Sequence, residues 1–456
     1  MTNSELIKLA QSPDMLNKAS HINRWDLLPL LFRVHGQPFS LKDREPFQVL
    51  FDKELVREKI VLSGRQCGKC LQANFYNLRD CYGAPLKDPK PGDRVLSFDA
   101  HWQAVPSVIT RVFHPGKKKV LRIVTEKGNE LHVSPEHKVR QIDGFVAAGS
   151  LQIGSRIASI RRGGVFGKFR PEPGRIQATA YMLGNGSCRG NTRFTSMFQF
   201  CLDELAAIAG EGMYHFLAKK GTVAKDICFK TKSNIVRWLT EDGLNGCLSC
   251  DKFIPAWVFR LSKADTAMFL SRLWSTDGRV ALCKDGFADI SYCTTSKALC
   301  DGVRALLFKL GYMNAVRIKH THYKRLDGER VKCKDAYIIR LETFESQAAF
   351  MEEIDVPCRP RVKLKDTFRN NNRDTLPKEC NGLIKRLFCS AERSRSGSLY
   401  SRGLRMTLKY PPSVTKVAQY LDAARCMGLS SQPEYGVLYD LHTGDVYLML
   451  LRLLKI

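Results

Sequence analysis

A glycine-lysine turn is phosphate-binding chemistry. Residues 63–70 read Ser63-Gly64-Arg65-Gln66-Cys67-Gly68-Lys69-Cys70, after Ile60-Val61-Leu62, which looks like the end of a buried strand. In such a loop the backbone N–H groups around Gly64, Arg65, Gln66 and Gly68 cradle phosphate. Lys69 reaches the terminal phosphates, and the next residue, Ser or Thr, holds Mg²⁺. Here that next residue is Cys70, and a thiol is a poor ligand for a hard cation. A phosphate loop also opens a helix, whereas Leu71 to Asp99 contains Gly83, Pro85, Pro89, Pro91 and Gly92, which break helices. A nucleotide site starts and is interrupted at its most sensitive point.

That interruption resembles an intein, a self-splicing insert, lodged in the ATPase of a phage terminase large subunit. The terminase likeness covers roughly residues 40–69, through Arg44-Glu45-Pro46-Phe47, Leu50-Phe51 and the loop, with Ser63 where the strict pattern has Gly. Residues 1–69 offer one strand and no second acidic strand, so ATP hydrolysis by this segment alone is not expected.

The intein likeness rests on Cys70 and on Gly128-Asn129-Glu130-Leu131-His132-Val133-Ser134-Pro135-Glu136-His137, similar to a motif ending Thr-x-x-His with Ser134 in the Thr place. The resemblance implies an acyl shift from the nitrogen of Cys70 to its sulfur. Cys70 would be the nucleophile, His137 the acid/base and Ser134 an orienter or oxyanion donor. Thiols are readily activated nucleophiles, and a leaving amide nitrogen needs a proton. Tyr435-Gly436-Val437-Leu438-Tyr439-Asp440-Leu441 to Tyr447 resembles the penultimate intein motif, a strand that completes the β-domain, with Asp445 near an assisting acidic position. The final motif, a His-Asn pair, is not found in Leu448 to Ile456. A truncation or reading-frame shift just after Tyr447 is expected, with full splicing failing and cleavage at the Lys69–Cys70 bond retained.

Two further stretches share one pattern. Phe269-Leu270-Ser271-Arg272-Leu273-Trp274-Ser275-Thr276-Asp277-Gly278 is an apolar helix ending in an acid and Gly. Ala178-Thr179-Ala180-Tyr181-Met182-Leu183-Gly184-Asn185-Gly186-Ser187 is a weaker copy. They resemble the paired helices of LAGLIDADG homing endonucleases. The resemblance implies that each helix brings one ligand for Mg²⁺, Asp277 and Asn185, to a shared centre that cleaves double-stranded DNA. Lys252, in Lys252-Phe253-Ile254-Pro255, would stabilise charge near the scissile phosphate. Asn185 replaces a carboxylate with a neutral, weaker ligand, so cleavage is expected to be weak or lost while DNA binding survives. Arg272, where a small residue is usual, is expected to loosen the helix contact. The basic residues Arg317, Lys319, Lys324, Arg325, Arg330, Lys332 and Lys334 fit DNA groove and phosphate contact. Cys247-Leu248-Ser249-Cys250, with no second pair at zinc-finger spacing, reads as structural.

The elements that must position these groups follow from patterning. Over residues 70–160, strand-like runs at Arg94-Val95-Leu96-Ser97-Phe98, Ser107 to Phe113, Lys119 to Val124 and Glu130 to Val133 are punctuated by turns, predicting an all-β Hint-type splicing domain. Residues 161–175 read as a linker, and 176–360 as an α/β (α+β) two-repeat LAGLIDADG domain. Residues 361–430 read as linker, 431–456 as the returning part of the β-domain, and 1–69 as a short, mostly helical terminase fragment. A net charge of +27 over 456 residues points to a polyanionic partner, most simply nucleic acid. The start Met1-Thr2-Asn3-Ser4-Glu5 is polar, with no apolar signal segment. Sixteen scattered cysteines without such a segment suggest reduced thiols and a cytoplasmic setting. No apolar run is long enough to span a membrane. Two repeats in one chain make a monomer sufficient. Two rivals stand beside the intein reading: an ATPase motor, opposed by Cys70, and a DNA endonuclease whose β-domain is mere scaffold, opposed by Asn185 and by the Cys70/His137 pairing.

Overall fold

The computed structural model describes residues 79–364 except 87, 100, 113–119, 220, 284–287 and 325–329, together with 374–389, 410–455, 33–34 and 37–38. The chain divides into two units, Met1–Leu62 and Ser63–Ile456. In the first, the described residues form only a hairpin of β1 (Arg33–Val34) and β2 (Gln37–Pro38). The helical approach expected there, and the whole loop from Gly64 through Cys70, lie outside the described residues.

The second unit opens with a β-domain. Its strands are β3 (Arg94–Phe98), β4 (Ala104–Val108), β5 (Leu121–Thr125), β6 (Glu130–Val133), β7 (Lys138–Gln141), β8 (Gly144–Ala147) and β9 (Arg156–Ile160). Alternation sets the faces: Leu121, Ile123 and Thr125 of β5 point inward while Arg122 faces solvent. Leu121, Ile123, Val133, Val139, Ala148, Leu151 and Ile157 form a small core.

Residues 175–353 then build two lobes of the same plan. Lobe one is α1 (Arg175–Gly184), β10 (Gly186–Ser187), β11 (Arg193–Ser196), α2 (Gln199–Ala209), β12 (Tyr214–Ala218), β13 (Lys225–Phe229) and α3 (Asn234–Glu241). Lobe two is α4 (Lys263–Asp277), β14 (Gly278–Leu282), β15 (Ala288–Thr294), α5 (Lys297–Lys309), β16 (Asn314–Lys319), the hairpin β17 (His322–Lys324) and β18 (Arg330–Lys332), then β19 (Ala336–Leu341) and α6 (Phe344–Glu353). The antiparallel sheets run β10-β11-β13-β12 and β14-β15-β19-β16, so corresponding strands occupy corresponding places.

Helices α1 and α4 pack along one another and bury most of their lengths, including Ala180, Tyr181, Met182, Leu273 and Trp274. At the crossing, Gly184 lies so close that an added Cβ would land on the Thr276 side chain. Gly184→Val is therefore expected to cost about 1–3 kcal/mol through overpacking, read as a lowered urea midpoint. Arg272 does not loosen this contact. Its guanidinium takes both oxygens of Glu204 on α2, at 2.8 and 2.9 Å, and Glu204 also accepts from the Tyr181 hydroxyl at 2.6 Å. A two-pronged Arg–carboxylate pair fixes geometry as well as charge.

Past the lobes the structure departs from expectation twice. Residues 361–430 are not simply linker. They supply α7 (Cys380–Cys389) and α8 (Val414–Cys426), the latter capped by Ser413 accepting from the Lys416 N–H. The expected strand over Tyr435 to Tyr447 is mostly helix: α9 (Pro433–Thr443) starts with Pro in its first turn, where a missing N–H is harmless. These three helices share an apolar core that includes Ile384, Phe388, Val417, Leu421 and Leu438, and reaches the β-domain through Trp102 and Leu448. The returning strand is β20 (Val446–Lys455), ten residues starting at the point where the motif was expected to end. It lies between β5 and β9, pairing Leu454 with Ile123 and Met449 with Ile157. Its Leu451 completes the β core. The linker of 161–175 is pinned too: Arg161 pairs with Asp374, and Val165 N–H donates to Cys81 O at 3.0 Å.

Candidate functional sites

Ser134 and His137 bracket the four-residue turn between β6 and β7. The turn is closed by His137 N–H donating to Ser134 O at 3.0 Å. It is pinned from behind by Ala148 N–H to His137 O at 2.7 Å and Gly149 N–H to Pro135 O at 2.8 Å. Both side chains are buried, yet Ser134 Oγ and His137 Nδ1 have no hydrogen-bond partner among the described residues. Buried polar groups are rarely left so, because each lost bond costs free energy. Burial also pushes the His137 pKa below its ordinary 6.5, favouring the neutral imidazole. His137 lines a cavity of about 440 Å³ shared by the β-domain, the segment Arg79–Gly83 and helix α5. The structure thus brings Ser134 and His137 together; Cys70 lies outside the described residues. Asp445 is not free to assist: it accepts from Ala104 N–H at 3.0 Å and Arg162 Nε at 2.9 Å, holding a loop.

The turn before β6 is gripped by lobe two. Buried Arg304 of α5 donates to Gly128 O and Lys127 O, both at 3.1 Å, and to Asn129 Oδ1. Val316 N–H of β16 bonds Lys127 O at 3.0 Å, and Lys127 pairs with Glu342 at 3.3 Å with both side chains buried. A Cβ on Gly128 (φ +75°) would sit 2.8 Å from Val316 O, so only glycine permits this approach.

A second cavity, about 560 Å³, is lined by Asn185, Lys252 and Asp277 together with Cys293, Thr294 and Thr295. Asn185 caps α1 and Asp277 ends α4, so the two residues are equivalent in the two lobes. Asp277 keeps solvent contact at the cavity mouth. Even so, desolvation by its surroundings raises its carboxyl pKa, against the opposing pull of Lys252 and then Arg359.

Lys252 is in the cavity wall but is not free to meet a phosphate. Its buried ammonium donates at 2.7–3.1 Å to Met182 O, Leu183 O and Gly184 O, orphan carbonyls at the end of α1, and to Gly186 O of β10. Burial lowers its pKa. Arg359 does the same for α4, donating to Thr276 O at 2.6 Å and Gly278 O at 2.7 Å. No sequence pattern marked Arg359; it follows an unremarkable Cys358. Lys252→Met, which strands buried acceptors, is expected to destabilise the fold by about 1–3 kcal/mol, checked by urea unfolding.

The carboxylate of Asp277 and the amide oxygen of Asn185 are the hard donors Mg²⁺ accepts. They bring one negative charge where paired metals need more, and two cations, Lys252 and Arg359, stand at the same helix ends. This donor set does not fit a two-metal centre. Among the described residues no three His, Cys, Asp or Glu side chains group as metal ligands.

The basic residues lie on β16 and on and beside the separate β17–β18 hairpin of lobe two. Arg317 and Lys319 are exposed on β16, Lys324 lies on β17, Arg330 and Lys332 are exposed on β18, and Lys334 follows; Arg325 lies outside the described residues. Lys334 already donates to Cys250 Sγ at 2.7 Å, which gives that cysteine a structural partner. No helix among the described residues is long and apolar enough to cross a membrane.

Residues 265–355 match the family model described as a LAGLIDADG-like domain, which is lobe two from α4 through α6. Protein RecA of Mycobacterium tuberculosis (strain ATCC 25618 / H37Rv) is 26% identical over 256 residues, 53% of this chain and 32% of RecA. Replicative DNA helicase DnaB of Rhodothermus marinus is 25% identical over 366 residues, 74% of this chain and 37% of the helicase. The chain thus spans about a third of the length of these curated relatives. Among solved structures, the Ssp DnaB mini-intein variant M86 is 21% identical, covering 23% of this chain and 68% of its own, with a TM-score of 0.20. A mesophilic variant of the homing endonuclease I-DmoI is 15% identical, covering 40% of this chain and 95% of its own, with a TM-score of 0.24.

Proposed function

We propose that residues from Cys70 onward are an intein-type self-processing segment with an embedded LAGLIDADG-type DNA-binding domain, interrupting a terminase-like phosphate loop at Lys69. The observation that carries the reading is the pair of buried atoms, Ser134 Oγ and His137 Nδ1, without a partner among the described residues, on a turn pinned from both sides. Such a pair is poised for a further group, and the peptide at Cys70 supplies one of the right chemistry. Two facts support it. The β-domain is split in sequence around the LAGLIDADG-like unit and closed by β20. The relatives are a RecA protein and a replicative DNA helicase by name, each alike over only about a third of its length, as expected of a segment that moves between hosts.

In this reading neutral His137 takes the proton from the Cys70 thiol as sulfur attacks the Lys69 carbonyl carbon. The C–N bond breaks, and the same proton passes to the departing nitrogen, leaving a thioester and a free amine. Ser134 donates to the carbonyl oxygen as it becomes negative. The DNA-facing half binds double-stranded DNA through Arg317, Lys319, Lys324, Arg325, Arg330, Lys332 and Lys334, and cleaves poorly because Asn185 supplies no charge.

The test is intact mass of the purified chain after dithiothreitol. Release of a fragment ending at Lys69, abolished in Cys70→Ala, is the expected result. A folded protein that releases nothing would sink the self-processing half of the reading.

A further inference from the structure

We propose that Cys201 and Cys358 form a reversible disulfide that staples lobe one to the segment gripping the end of α4. Neither thiol has a part in self-processing or in DNA contact, so the inference stands apart from that reading. The two Sγ atoms are 3.3 Å apart, one thiol donating to the other, although 157 residues separate them in sequence. Cysteines this close reach bonding distance with a small side-chain movement.

The approach is built, not incidental. Cys201 is fully buried on α2, one turn before Glu204. Glu204 is clamped by Arg272 of α4, so α2 is fixed against α4 at this level. The other strand of the contact, 355–358, is tied to α4 by Ser271 Oγ donating to Asp355 O. Both thiols are thus held by elements anchored to the same helix.

Their environments differ in the way exchange chemistry needs. Cys358 is partly exposed and its pKa is lowered, first by the hydrogen bond from Cys201, with Ser275, Arg359 and Arg272 helping. Cys201 is buried and raised by the same hydrogen bond and by desolvation. A small disulfide such as oxidised glutathione therefore meets Cys358 first. The Cys358 thiolate attacks one glutathione sulfur, breaking its S–S bond and releasing one glutathione thiolate. Cys201 then loses its proton and attacks the Cys358 sulfur, releasing the second glutathione. The two protein thiols are oxidised, and one glutathione disulfide is reduced to two thiols. The bond joins α2 to the residue beside Arg359, whose guanidinium holds Thr276 O and Gly278 O on either side of Asp277. Oxidation would tie α2 to the segment that holds the end of α4 at the cavity.

The experiment is oxidation of the full-length reduced protein with oxidised glutathione, alkylation of remaining thiols and peptide mapping. The expected result is one cross-linked peptide pair joining Cys201 to Cys358, both lost from the alkylated pool and recovered after dithiothreitol. In Cys201→Ser, Cys358 is expected to stop at a stable glutathione adduct. In Cys358→Ser, Cys201 is expected to stay unmodified in the folded protein. The second variant keeps the test sharp if the first does not fold. Alkylatable Cys201 and Cys358 in wild type, under conditions that oxidise another pair, would overturn the proposal, as would a cross-link from either residue to a different cysteine.

Discussion

His137→Ala is expected to slow dithiothreitol-induced release of the segment ahead of Cys70 by about 10²–10⁴-fold, the usual contribution of a positioned acid/base group. The imidazole would move one proton from sulfur to nitrogen, and no other titratable side chain shares its turn except exposed Glu136. The loss should appear in the rate, read by intact mass over time, with little change in thermal unfolding. Ser134→Ala should lose less, since it removes one of several oxyanion donors. The pH profile gives an independent check. Burial lowers the folded pKa of His137 below 6.5, so the neutral base persists below the pH at which a free histidine would protonate. Release, normalised to the dithiothreitol thiolate present at each pH, should therefore lose its His137 contribution only on the acid side of 6.5. Stability has the same sign: the contribution of neutral His137 is present above its unfolded pKa and lost as pH falls through the folded one. A decline of that normalised rate above 6.5, absent from His137→Ala, would contradict this assignment.

Asn185→Asp is expected to raise Mg²⁺-dependent cleavage of cognate duplex DNA about a hundredfold or more, equivalent to about 3 kcal/mol of transition-state stabilisation. The scaffold for a second carboxylate is already in place. Asn185 and Asp277 occupy equivalent helix ends, line one cavity and are followed by Gly186 and Gly278, each pressed against its own helix end. Divalent cation affinity, measured by calorimetry without DNA, should tighten in the same variant. DNA affinity should scarcely change, because the proposed reading rests it on the basic residues of β16 to β18. Unchanged metal binding would place the defect elsewhere, most directly in the cations Lys252 and Arg359 that occupy the helix ends.

Much of this was legible in the sequence because periodic apolar patterns report directly on buried faces. Arg94–Phe98, Glu130–Val133 and the helices ending at Gly184 and Asp277 are where their patterns put them. The misreadings share a physical cause. Tyr435 to Leu441 is a motif match over residues of mixed propensity, and Pro433 as a helix start settles it as helix. Leu448 to Lys455 looks like a broken motif, yet its near-continuous apolar run is that of a strand between two others, and β5 and β9 accept it. The neighbours Ile254 and Pro255 mark Lys252 but not its role, because nothing local tells a lysine that three carbonyls of α1 and one of β10 will surround it. Arg359 and Arg304 were invisible for the same reason: their partners lie 81 and 177 residues away.

The grip of Arg304 on Lys127, Gly128 and Asn129 bears on how such a chain can shrink over generations. A deletion that removed the nuclease-like lobes would strip the β-domain of the guanidinium, of the Val316 N–H and of Glu342 at one stroke, leaving a glycine-bearing turn shaped for a neighbour no longer there. Gradual loss of cleavage, as proposed at Asn185, would leave that support untouched, whereas loss of the gene segment would not. A lineage of such inserts would then keep a silent nuclease as a splint, and compact descendants would be recognised by a rebuilt turn at 126–129.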